Sequence, residues 1–302
     1  MKVVQAQSLD RFVQRNRLRV WQTYRDAANW LSWRLGGRRR FSAERVAQLT
    51  RDHRWLFLVG CNNSGTSLVE SLIEQTGVVS GLAREGQRYT RTLARAARRG
   101  HERVWTEFLD DLRMDESAPL DCVPQLVHDW TIALDKPLQP TILEKTTANI
   151  VRMRWLQKAF PNSAFIVMVR DGFAVTEGVY RKGEQDVARA ARHWNLVYEI
   201  ALRDAQHIDN LMFLKYEDVV NDRAAAVASL ADFCGIDAAL LDRGFDAQYS
   251  FLTADGRDKT GIRDMNQGSV SRLGPDDIEI ITREAGAMLS HFGYPTPGAA
   301  AA

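Results

Sequence analysis

The chain has 302 residues, 45% of them hydrophobic, enough to bury a full core in one large domain or two small ones. Its 40 basic and 38 acidic residues leave a net charge of +2, without the strong basic excess of a nucleic-acid footprint. Three scattered cysteines (Cys61, Cys122, Cys234) and no CxxC pair speak against a disulfide framework or zinc site and for a reducing compartment.

No apolar run of about 18 residues is present to span a bilayer, and the N-terminus lacks the order of a secretory signal, so a cytoplasmic location is expected. Residues 11–40 hold nine arginines, no lysine and one acid, Asp26, with Trp21, Trp30 and Trp33 interleaved. Two readings stay open for this stretch. It is an amphipathic helix on an anionic membrane surface, or a helix docked on its own domain with a solvated basic face. The organisation expected is a basic helical arm at 1–45, a main domain at 46–296 with a helical acceptor-side insertion at about 87–138, and a disordered tail at 297–302.

"RWLFLVG" (54–60) reads as a buried strand and "SLVESLIEQTG" (67–77) as a helix closed by Gly77. Residues 87–118 are strongly charged and read as helical. "TILEK" is a short strand, "ANIVRMRWLQKAF" a helix stopped by Pro161, and "AFIVMVR" another buried strand. "LMFLKYEDVV" supplies one more, followed by the helix "DRAAAVASLADFCG". Continuous apolar strands separated by helices predict an α/β fold in three layers, a central parallel sheet flanked by helices.

Between the first strand and helix, Gly60 and Gly65 stand where the phosphate loop G-x-x-x-x-G-K-[ST] has its glycines, but Thr66 and Ser67 follow in place of lysine. The backbone amides of Asn62, Asn63, Ser64, Gly65, Thr66 and Ser67 can still cradle a phosphate. Loss of the lysine points away from a nucleoside triphosphate and from a kinase. Ligands of open α/β sheets bind outside the carboxyl ends of the strands, so Lys145 and Arg170 should converge on the same crevice as the loop.

"FLVGCNNSGTSLV", "EKTTANIVRMRWLQKAFPNSAFIVMVRDGFAV" and "FLKYEDVVNDRAAAVASLADFCGI" resemble three successive motifs of sulfotransferases that use 3′-phosphoadenosine 5′-phosphosulfate (PAPS) and release 3′-phosphoadenosine 5′-phosphate (PAP). The resemblance runs from about Arg54 to Tyr294. It implies a P-loop-like fold that works without a metal, with residues 62–67 on the 5′-phosphosulfate and Arg170 on the 3′-phosphate. Two positions depart from the family's usual residues: Asn63 stands where it has Arg or Lys, and Gly178 where it has a serine on the 3′-phosphate.

The resemblance also implies a base after the first helix, for which Glu85 is the candidate, while Lys145 supplies charge at the transferring group. Tyr216 is placed to touch the nucleotide. Arg257, Lys259 and Arg263 form either a basic loop over the 3′-phosphate or a solvated one. Arg84, Arg88 and Arg91 hint at an anionic acceptor, a hydroxyl-bearing sugar or lipid. The six histidines have no ligand spacing, and His193 reads as packing. The alternative class is a catalytically weak nucleotide-binding or membrane-adaptor protein on the same fold, motivated by Asn63, Gly178 and the basic arm.

Overall fold

The computed structural model describes residues 20–95, 103–183, 186–247, 249–253 and 256–298, with backbone only at 183 and 249–260. Five strands form one parallel sheet: β1 (Arg54–Gly60), β2 (Val79–Gly81), β3 (Thr141–Lys145), β4 (Ser163–Val169) and β5 (Leu211–Lys215), in the order β2-β3-β1-β4-β5. β1 is central because its run of apolar residues is buried on both faces. Its register sets Leu58 opposite Lys145 and Gly60 opposite Met168, which brings the loop after β1 between the ends of β3 and β4.

The period of two along β1 sorts its side chains onto two unlike faces. Trp55, Phe57 and Val59 join an aromatic cluster, where Trp55 and Phe160 have centroids 4.6 Å apart and Phe57 and Phe165 5.2 Å. Leu56 and Leu58 face an aliphatic layer. In chain order the principal helices are α1 (20–32), α2 (Ala43–Asp52), α3 (Thr66–Gln75), α4 (Val123–Thr131), α5 (Met153–Ala159), α6 (Gly172–Gly183), α7 (Val187–Ala205), α8 (Tyr216–Asn221), α9 (Arg223–Cys234), α10 (Ala238–Gly244), α11 (Asn266–Val270) and α12 (Pro275–His291). The aliphatic side packs Leu68, Val69, Leu72 and Ile73 of α3 with Val227 and Leu230 of α9. The aromatic side takes α4 through Trp130, α7 through Trp194 and α12 through Leu289. An antiparallel hairpin, β6 (Tyr249–Thr253) and β7 (Gly256–Thr260), precedes α11.

α1 docks on the domain. Trp21 meets Tyr89 edge-on at 5.6 Å, Asp26 pairs with Arg95 at 2.8 Å, and Asn29 donates to the Tyr89 carbonyl. Its other side stays open: Val20 is 70% exposed, Tyr24 72%, Leu31 50% and Leu35, in the π turn that follows and just before the kink at Gly36, 79%. Among the described residues no helix is long and apolar enough to cross a membrane. Arm residues 1–19 and tail residues 299–302 lie outside the described residues.

The helix read over 87–118 is corrected. Apart from 96–102, which are not described, this stretch holds only short turns: Gly86–Arg88, Trp105–Phe108 and Leu109–Leu112. Long-range bonds override helix propensity there, with Arg95 buried against Asp26 and the Arg113 guanidinium forked onto Asp204.

Candidate active site

The loop is closed on itself before any ligand is considered. Ser64 Oγ donates to the Cys61 carbonyl at 2.7 Å, and Asn62 Oδ1 accepts from Trp105 Nε1 at 2.9 Å and from Thr147 at 3.4 Å. Asn63 sits at φ 66° and Gly65 at φ 97°, in the left-handed region that asparagine and glycine enter most cheaply. Gly65 is also a close approach, since a Cβ there would stand 2.7 Å from the Tyr216 ring. The tightened turn leaves the first amides of α3 without intrahelical acceptors.

Asn63, Gly65, Thr66 and Ser67 line a cavity of about 510 Å³ together with Arg170, Gly178 and Tyr216. The side chains of Asn62 and Ser64 serve the loop instead and are not on its wall. Arg170 is tightly held: Nη1 donates to the Asn63 carbonyl at 2.9 Å, Nε to Asn266 Oδ1 at 2.7 Å, and its guanidinium lies 4.2 Å from the Tyr216 ring centre. Tyr216 in turn donates to the Arg263 carbonyl at 3.0 Å, tying α8 to the segment before α11. Glu217 gathers this wall, accepting from Asp171 N at 3.0 Å, Tyr294 OH at 2.8 Å and the Asn266 amide.

More positive charge lines the cavity than the strand ends suggested: Arg181, Lys182, Arg263 and Arg272 join Arg170 there. Arg272 forks onto Glu177 at 2.7 and 3.0 Å, and Arg181 donates to the same carboxylate at 2.6 Å. Burial alone would raise the Glu177 carboxyl, but these bonds from Arg272 and Arg181 outweigh it and hold it below its ordinary range. The side chains of Arg257 and Lys259 lie outside the described residues, so of that basic loop only Arg263 is seen on the cavity wall.

Lys145 does not share this cavity. It ends β3, on the opposite side of the loop from Arg170, and its Nζ is 3.2 Å from Glu70 Oε2 on α3. Burial would depress the ammonium, but Glu70 and Glu85 overcome that and keep it above its ordinary value, hence charged. The expectation of one crevice for both cations is therefore corrected: they flank the loop from the two strands that neighbour β1.

Glu85 opens the turn after β2, its carboxylate accepting from Gln87 Nε2 at 2.8 Å and lying 3.9 Å from Arg88 Nε. Behind it Glu144, fully buried, fixes the turn by accepting from Gly86 N at 2.8 Å, from Asn149 Nδ2 at 2.7 Å and from Thr146. Burial pushes the Glu144 carboxyl up to about 7 despite these donors. Thr146 therefore bonds Glu144 rather than capping a helix, and the segment it opens is a 3₁₀ turn (Thr147–Arg152) leading into α5. Of the three arginines expected to face an acceptor, Arg84 also stacks on Trp21 at 5.2 Å and Arg91 is 3.9 Å from Asp26, so both touch α1. His193 is packing, as read: it is buried, edge-on to Trp105, with its ring pushed down to about 3 by burial.

The sulfotransferase family model matches residues 56–239, more than half of the chain. The chain belongs to the sulfotransferase family. Among solved structures, sulfotransferase STF1 from Mycobacterium tuberculosis H37Rv aligns with a TM-score of 0.50 at 12% identity, covering 85% of this chain and 81% of that one. The sulfotransferase domain of the Synechococcus PCC 7002 olefin synthase gives 0.49 at 16% identity, over 82% and 97%. Mouse sulfotransferase SULT7A1, complexed with PAP, gives 0.43 at 14% identity, over 84% and 94%. At 12% identity the likeness to STF1 speaks to the fold alone. No curated protein sequence matches the chain.

In this sulfotransferase, sequence reading missed Arg181, Lys182 and Arg272 on the cavity wall, and Glu70 and Glu144 behind Lys145 and Glu85. A signal existed for Lys182, which stands one helical turn after Gly178 and so on the same side of α6. None existed for Glu70, whose pairing depends on how α3 lies over β3. Among the described residues no three His, Cys, Asp or Glu side chains converge as a metal site would need.

Proposed function

We propose that this sulfotransferase transfers the sulfuryl group of PAPS to a hydroxyl of a carbohydrate or lipid acceptor. The observation that carries the reading is the cavity between the loop and α6. Its volume suits a nucleotide, and it offers two anion positions: the loop amides, and Arg170 held ready over Tyr216. The arginine fork suits a phosphate monoester such as the donor's 3′-phosphate. Residues 62–67 then hold the 5′-phosphosulfate, and Gly178 contributes space rather than a hydroxyl.

On this reading Glu85 takes the proton of the acceptor hydroxyl, and Lys145 supplies charge beside the transferring group. Both belong to the β2-β3 side of the loop, the donor cavity to the β4-β5 side, so the reacting sulfur lies over the loop between them. Arg84 and Arg88 border the acceptor side and would meet anionic groups on the acceptor. The test is calorimetric titration with PAP and with MgATP. We expect micromolar binding of PAP and at least tenfold weaker binding of MgATP; preference for MgATP with phosphoryl transfer would overturn the reading.

The arm supports an accompanying one, attachment to an anionic membrane surface. Val20, Tyr24 and Leu31 fall on one exposed side of α1, with Leu35 beyond, and exposed Arg34, Arg38, Arg39 and Arg40 follow. The full chain is expected to co-sediment with phosphatidylserine vesicles at low salt, and Leu31→Ser with Leu35→Ser to release it. Sedimentation unaffected by both changes would contradict this.

A further inference from the structure

We propose that Lys182 is the cation of the donor's 5′-phosphate, reaching from α6 to the tip of Asn63 to do what the loop's own neutral side chains cannot. The inference rests on the donor reading of the preceding subsection and concerns this chain's own residues.

From Cys61 to Ser67 the loop carries no charged side chain. In sulfuryl transfer the bond between sulfur and the 5′-phosphate's bridging oxygen breaks, and its electron pair stays on that oxygen. The acceptor oxygen forms the new bond to sulfur and its proton passes to Glu85. Negative charge therefore grows on a phosphate oxygen cradled by the loop, where a fixed cation is worth most.

Lys182 lines the same cavity, with its Nζ 3.4 Å from Asn63 Oδ1. One turn earlier on α6, Gly178 leaves the room that the Asn63 side chain occupies: a Cβ at 178 would stand 3.2 Å from Asn63 Nδ2. The Nδ2 atom is buried without a hydrogen-bond partner, a donor available to a phosphate oxygen. Asn63, Gly178 and Lys182 thus form one unit, a short neutral side chain laid over a glycine with an ammonium at its end.

Among the described residues Lys182 has no other task. No carboxylate lies within ion-pair distance of it among the described residues, and the nearby acid, Glu177, is taken by Arg181 and Arg272. Arg170, with Nε and Nη1 on Asn266 and Asn63, is given to the 3′-phosphate on the donor reading. Burial, with Arg103, Arg181 and Arg170 close by, pushes the Lys182 ammonium down to about 8. A half-buried lysine among like charges is a burden for stability alone and an asset only with an anion present.

The test compares wild type, Lys182→Ala and Lys182→Arg for binding of PAP and of adenosine 3′-monophosphate, which lacks the 5′-phosphate, alongside thermal melting and turnover. We expect Lys182→Ala to weaken PAP at least tenfold, to leave adenosine 3′-monophosphate within about twofold, and to keep or raise the melting temperature. Turnover should fall by about 10²-fold, and Lys182→Arg should recover most of the PAP affinity. Equal loss for both ligands with a lowered melting temperature would make Lys182 structural and overturn the proposal. So would unchanged PAP binding in Lys182→Ala. Wild type that fails to bind PAP at all would instead sink the donor reading on which the proposal stands.

Discussion

Arg170 commits two guanidinium nitrogens to Asn63 and Asn266 and its face to Tyr216, so its orientation is fixed without ligand. A charged hydrogen bond from a group held this way contributes roughly 1.5–3 kcal/mol. Arg170→Ala should therefore weaken PAP about 10- to 100-fold, and Arg170→Lys should recover little, because an ammonium cannot make the fork or the stack. Full recovery by lysine would show that only charge is needed. The place of Arg170 on the cavity wall was legible in the sequence, because a buried strand ending in a basic residue points its charge at the sheet's carboxyl edge. Lys182 was not, because its value depends on the packing of α6 against the loop. Asn63 read as a loss when taken by itself, and it takes on meaning only beside Gly178 and Lys182.

At the scale of elements, α6 keeps a glycine in its interior although glycine costs a helix about 1 kcal/mol relative to alanine. The reason is contact with the Asn63 amide, which a Cβ would approach to 3.2 Å. Gly178→Ala should thus bring no stability in the wild-type background, and about 1 kcal/mol once Asn63→Gly has removed the amide. Denaturant unfolding of the four proteins measures the coupling. A gain of that size in both backgrounds would mean the contact is slack. The strands themselves were legible, with β1 and β3 matching their predicted spans, because an uninterrupted apolar run has few alternatives to burial in a parallel sheet. The stretch 87–118 was misread for the opposite reason. Its arginines have helical spacing, but Arg95 and Arg113 are spent on Asp26 and Asp204, partners that local pattern cannot reveal.

For the molecule as a whole, the β2-β3 side of the sheet concentrates buried carboxyls behind the loop, and this has a consequence for stability. Burial, then Glu70 and Asp135, raise Glu74 from 4.5 to about 7. The native state thus holds a proton that the unfolded chain releases between these values. This contribution to stability is present below about pH 4.5 and is lost as pH rises through 7. Glu74→Gln should flatten that decline, gaining on wild type in urea midpoint between about pH 5 and pH 8. A constant difference across the range would contradict the assignment. Arm and domain likewise resolve at this scale: the two readings of residues 11–40 are compatible, since α1 docks through Trp21 and Asn29 and still exposes Val20, Tyr24 and Leu31.

The most direct measurement is transfer of label from radiolabelled PAPS to the hydroxyl-bearing compounds of a cell extract, by wild type and by Glu85→Gln. General-base removal typically costs about 10²- to 10⁴-fold. The account predicts a labelled product with wild type, its near disappearance with Glu85→Gln, and unchanged PAP binding by both. Tight PAP binding with no labelled product from wild type would contradict it and favour a nucleotide-binding protein on this fold.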